Sequence, residues 1–104
     1  MRSAIFLACC LVAGAVSPAS AQDLINGERI AKTWCAACHR VTPNAVIAGG
    51  NDAAPSFSSV AQMSSTTETS LEVFLSTPHA RMPDYNLTRQ EIADVSAYIL
   101  SLRK

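Results

Sequence analysis

The chain is poor in charge and in aromatic rings. Charged residues make up 15% of its 104 positions and aromatic residues 6%, and the formal net charge is zero. Lysine occurs only at Lys32 and Lys104. A nucleic-acid-binding surface needs a basic face, and this composition supplies none. The same scarcity excludes strong electrostatic steering by a lysine ring. Alternating apolar and polar residues do not persist over any useful length, so a half-buried strand is not expected. No internal repeat, low-complexity linker or glycine-rich phosphate loop is present, nor any Ser/His/Asp set suited to nucleophilic catalysis. The longest apolar stretch, Ala4 to Val16, is shorter than the roughly 20 residues of a membrane span.

That stretch has another reading. Arg2 supplies a positive start, and Ala19-Ser20-Ala21 is an A-x-A cleavage site. Residues 1–21 therefore read as a secretory signal peptide, with a mature domain at residues 22–104 beginning at Gln22. Cys9 and Cys10 leave with the signal. Acylation of one of them, as in a lipoprotein, would need a longer apolar run ahead of it. The mature chain carries seven basic and eight acidic side chains, a net charge of −1. It is one small domain of a size that often needs a staple.

Four cysteines occur in the chain, and export would leave two, Cys35 and Cys38, in Cys35-Ala36-Ala37-Cys38-His39. Taken alone, C-x-x-C is compatible with a disulfide or redox pair and with half a zinc site. The redox reading expects a βαβ context. The zinc reading expects four ligands, usually as two pairs, and Cys35, Cys38, His39 and His79 include no second Cys pair. C-x-x-C-H is also the attachment signal of a c-type haem. On one helical turn the two sulfurs face the same way and can both reach the vinyl groups at the porphyrin rim. His39 then stands beneath the iron as an axial ligand. Two thioether bonds would also consume both thiols in an oxidising compartment.

A sixth ligand opposite His39 could come from Met63, Met82 or His79. Met63, 24 residues on, falls at helical spacing and is expected in the core. Met82, 43 residues on, lies in the irregular stretch Arg81-Met82-Pro83-Asp84-Tyr85-Asn86. Pro83 keeps Met82 extended, so this loop can project a thioether at the iron. Met82 is therefore the expected ligand, ahead of His79.

Four helices are expected. The first runs from an Asp23 cap to about His39, with Leu24, Glu28, Ala31 and Cys35 on one face. Gly27 inside it implies close approach of another backbone, the alternative being a helix that starts only after it. Residues 40–56 form a loop. A short helix covers about Ser56–Met63. Thr67 or Thr69 caps a third, ending near Ser76 before Pro78, with Leu71, Phe74 and Leu75 on one face. Thr88-Arg89-Gln90-Glu91 is a capping box opening the last helix, whose inward stripe is Ile92, Val95, Ile99 and Leu102. Arg103 and Lys104 suit its C-terminus, and the exposed carboxylates read as solvated charge.

Taken together, these segments resemble the class I monohaem cytochromes c, particularly the small bacterial ones. Gly27 through His39 is similar to the family's G-x-x-x-[AF]-x-x-x-C-x-x-C-H. Met82-Pro83, Leu87-Thr88, Glu91-Ile92, Asp94-Val95 and Ala97-Tyr98-Ile99 resemble its M-P…L-T-x-x-E-I-x-D-V-x-A-Y-[IL]. The resemblance implies an all-α cytochrome c fold, with N- and C-terminal helices crossing around one covalently bound haem c. Gly27 would pack against Val95 and Tyr98. A proline carbonyl, best matched by Pro55, would accept from His39 Nδ1. Trp34 precedes the first motif cysteine, whereas many relatives place a tryptophan mid-chain near a haem propionate.

The expected function is that of a periplasmic single-electron carrier, not an enzyme, with His39 and Met82 on the iron. Redox proteins are its donor and acceptor, and the chain is a monomer or part of a weak complex, with no nucleic-acid partner and no membrane span. The alternative is a haem c subunit permanently bound to a periplasmic dehydrogenase or reductase. A gas-binding or peroxidatic haem protein would need a displaceable sixth ligand.

Overall fold

A computed structural model describes residues 21–45 and 54–104. Residues 1–20, all of the expected signal segment but Ala21, and residues 46–53 of the expected loop lie outside the described residues. Helix α1 spans Leu24–Ile30, with the Asp23 carboxylate accepting from the Ile25 and Asn26 N–H groups. It continues into a π-helical turn, Ala31–Cys35, closed by the Ala36 N–H donating to the Ala31 carbonyl at 3.0 Å. The Thr33 hydroxyl donates to the Arg29 carbonyl at 2.7 Å, where this register change occurs. Such back-bonding competes with the regular ladder and bends helices. Helical bonding thus ends before His39, in a tight turn.

The buried face of this segment is Gly27, Ile30 and Ala31. Leu24, expected on that face, is 49% exposed. The shift follows from the partner helix, which meets α1 at Gly27. Helix α4, Arg89–Ser101, starts with the reciprocal Thr88/Glu91 capping box. It packs on α1 in the largest helix–helix interface of the described residues. A β-carbon at position 27 would stand 2.8 Å from Tyr98 Cβ and closer still to the Asp94 carbonyl. Only glycine admits that approach. The nearest atoms belong to the Asp94 carbonyl and to Tyr98, so the α4 backbone itself lies at the crossing beside the expected Tyr98.

Helix α2, Phe57–Gln62, is capped by Ser56, and α3, Glu68–Leu75, by a Thr67/Ser70 box. Both pack on α4. The core gathers Ile30, Ala31, Val41, Phe57, Ala61, Leu71, Val95, Tyr98 and Ile99. Because α4 is enclosed by three helices, its buried surface is wider than one stripe and takes in Asp94, Ser96 and Tyr98, while Leu102 is half-buried. Met63 is not core: the chain turns extended after Gln62, and Met63 is 49% exposed. Phe74 is 45% exposed and leaves the Leu71 face to stack on His79 at 3.7 Å between ring centroids.

Long-range hydrogen bonds tie the ends together. The Tyr98 hydroxyl donates to the Val41 carbonyl at 2.7 Å. The Arg103 guanidinium donates to the Ala61 and Thr66 carbonyls, each at 2.7 Å. Arg103 therefore clamps the end of α2 and the turn into α3, beyond any effect on its own helix. No strand occurs among the described residues. The only extended pairing is an isolated antiparallel bridge between His79 and Met82.

Candidate functional site

Cys35, Cys38 and His39 share one turn at the end of the π-helical segment. The Cys38 and His39 N–H groups both donate to the Cys35 carbonyl, at 3.1 and 2.9 Å. Cys35 is half-buried and Cys38 exposed. Burial pushes the Cys35 thiol up to about 11. No group of three or more His, Cys, Asp or Glu side chains gathers into a metal-binding cluster among the described residues.

His39 is oriented by backbone. Its Nδ1 lies 2.6 Å from the Pro55 carbonyl oxygen. A carbonyl only accepts, so the proton sits on Nδ1 and the lone pair is left on Nε2. Such a bond fixes both the tautomer and the ring of a ligating histidine. The Pro55 segment is itself fastened beside the motif, because the Phe57 N–H donates to the Arg40 carbonyl at 2.9 Å. Phe57 also packs its ring 5.4 Å from the imidazole. Two thiols one turn apart beside an imidazole with a free Nε2 suit a covalently attached haem.

Met82 stands apart from this turn in the chain. It is half-buried in the segment between α3 and α4, paired with His79 across the single bridge. The loop beyond it is shaped locally. The Asn86 N–H donates to Asp84 Oδ1 at 2.9 Å, and Asn86 adopts φ 52°, a left-handed conformation that asparagine tolerates. One side-chain contact joins this loop to the motif segment. Trp34 packs against Tyr85 with centroids 5.1 Å apart and planes tilted by 35°. His79 is half-buried against Phe74.

Two features escaped sequence reading. Trp34 and Tyr85 are 51 positions apart, with no periodicity linking them. Asp94 reads as a solvated carboxylate but is 2% exposed. It accepts from the Asp23 N–H, the Asn26 amide and the Gln90 amide. Burial alone would raise its pKa, yet these three hydrogen bonds hold it below the usual carboxylate value. The i, i+4 spacing of Gln90 and Asp94 was a faint signal of that network.

The cytochrome c family model matches residues 24–103. Cytochrome c-552 of Bradyrhizobium diazoefficiens is 42% identical over 92 residues, covering 88% of this chain and 86% of that protein. No solved structure matches at a comparable level of significance.

Proposed function

The chain belongs to the cytochrome c family and carries haem c, and from that premise we propose that it is a periplasmic single-electron carrier with His39 and Met82 as axial ligands. Electron carriage by a haem protein follows from the family; the compartment, ligand pair and carrier role are the proposal. The His39 Nδ1 to Pro55 contact at 2.6 Å supports it most directly, since it readies Nε2 for iron.

Cys35 and Cys38 would hold the porphyrin through two thioethers from one turn. His39 would ligate through Nε2, its ring held by Pro55. Met82, kept extended by Pro83, would supply a thioether from the opposite side. The bound haem supplies one iron that cycles between ferric and ferrous states. With both axial positions filled by protein, no open site remains for a substrate, and the thioether raises the potential. Redox proteins would serve as donor and acceptor. An A-x-A site ahead of Gln22 supports export.

Potentiometric titration of the purified holoprotein tests this reading. A single one-electron transition, with slow carbon monoxide binding by the reduced form, is expected. Rapid binding of carbon monoxide by the parent protein would show an open iron and replace the carrier with a gas-binding or peroxidatic role.

A further inference from the structure

We propose that Trp34 and Tyr85 form an aromatic latch that positions the Met82 loop and keeps the thioether at the iron; this rests on the reading of Met82 as axial ligand. The two rings meet across the boundary between the segments that bear the two ligands. Trp34 immediately precedes Cys35, and Tyr85 follows Met82 by three residues. Their centroids lie 5.1 Å apart with a 35° tilt, within the range of offset aromatic pairs.

The loop's hydrogen bonds are local. Among the described residues, its backbone pairing and the Asn86 to Asp84 hydrogen bond both stay between positions 79 and 86. Leu87 re-enters the core only where the chain approaches α4. The pair is thus a side-chain tie from the loop to the helix carrying Cys35. Trp34 and Tyr85 are 44% and 42% exposed, so neither ring is needed to fill the core. The π turn over Ala31–Cys35 aims Trp34 and Cys35 in directions that an uninterrupted α-helix would not give. One local distortion therefore sets both a haem thiol and the ring that meets the ligand loop.

A latch of this kind acts on the ligand-off equilibrium. An exogenous imidazole can bind the ferric iron only when Met82 has left. Losing the pair should raise the population of that open form roughly two- to tenfold, the range set by an offset aromatic contact. Both rings flank the proposed ligands without binding iron themselves, so they are positioning residues.

The test is imidazole affinity of the oxidised holoprotein. Trp34→Leu and Tyr85→Leu should each bind imidazole about two- to tenfold more tightly than the parent. The double variant should match the singles, because either change removes the whole contact. Trp34→Phe should remain close to the parent. Ile99→Val, a core change away from the loop, should lower the melting temperature and leave imidazole affinity unchanged, separating latch loss from general destabilisation. Tyr85→Leu, in a surface loop, provides the reading if Trp34→Leu impairs maturation. Unchanged affinity in the Leu variants, with tighter binding by Met82→Ala, would overturn the latch and keep the ligand assignment. Unchanged affinity in Met82→Ala as well would overturn the ligand assignment and the latch with it.

Discussion

Asp94 Oδ1 accepts the Asp23 backbone N–H at 2.8 Å, so a carboxylate inside the last helix caps the entry of the first. The Asn26 amide donates to Asp94 Oδ2 at 2.7 Å and the Gln90 amide to Oδ1 at 2.8 Å. Three donors and no cation satisfy a buried charge. This is the polar half of the terminal-helix junction, and Gly27 is its steric half.

The Asp94 network should make stability fall in acid. Its folded-state pKa is held below the unfolded value of about 4 by those three bonds. The stabilisation is therefore fully present above the unfolded value and is lost as pH falls through the folded one. Glu91, lowered by its bonds to Thr88, acts in the same direction. Melting temperature should drop between about pH 5 and about pH 3, and Asp94→Ala should flatten that slope while costing about 1–3 kcal/mol at neutral pH. An unaltered slope in the variant would assign the acid sensitivity to other carboxylates.

Gly27→Ala should loosen the same junction. The added methyl group would meet the α4 backbone at Asp94 and the Tyr98 side-chain stem, neither of which is a flexible chain end. Helix propensity favours alanine by about 1 kcal/mol. Overpacking costs about 1–3 kcal/mol, and with rigid backbone as the neighbour it should outweigh that gain, so the net effect should be destabilising. Gly27→Val gains less propensity and adds more bulk, so it should be worse than Gly27→Ala. Urea midpoints of the two holoproteins check both the sign and the order.

Haem should remain on the chain after acid–acetone extraction. Intact mass should equal residues 22–104 plus one haem, given the C-x-x-C-H motif and the proposed cleavage ahead of Gln22. Cys35→Ala, Cys38→Ala should abolish attachment and leave the chain largely unfolded by far-UV circular dichroism. A domain of this size loses its centre without the cofactor. Holo-like helicity and a cooperative melt in the double variant would show a core that stands alone.

Much of this was legible in the chain because local chemistry and tertiary packing agree there. The Thr88/Glu91 box and the spacing of Ile92, Val95 and Ile99 specify α4 without outside help. Gly27 announced a close approach by being unfavourable in a helix. Pro55 was reachable only through the family resemblance, since nothing local ties it to His39. Leu24, Phe74 and Met63 were misplaced for one shared reason. Apolar periodicity shows which residues could face a core and cannot show where a neighbouring helix lies or where its own helix ends. Asp94 was missed because a carboxylate's burial depends on donors from Asp23 and Asn26, distant in sequence. The π turn escaped because its register depends on one hydroxyl, that of Thr33, taking a backbone carbonyl.

The exposure of Met63 removes core burial as the ground for setting it aside, so the proposal of Met82 rests on its loop and on Pro83. Met63 sits at the extended C-terminal end of α2, whereas Met82 lies half-buried in a loop bridged to His79 and followed by Pro83. A thioether favours ferrous iron, so its loss should stabilise the ferric state. Met82→Ala should therefore lower the midpoint potential, erase the weak far-red absorption band of iron–methionine ligation, and open the reduced protein to carbon monoxide. Weak peroxidase activity should accompany the open site. Met63→Ala should leave all four properties in place, and because the side chain is half exposed its effect on stability should stay well under the about 2–5 kcal/mol of a buried Met→Ala change. Spectra and redox titration of the two variants side by side decide the matter. Loss of methionine ligation in Met63→Ala, with Met82→Ala intact, would transfer the ligand to the end of α2 and remove the reason for the loop's geometry.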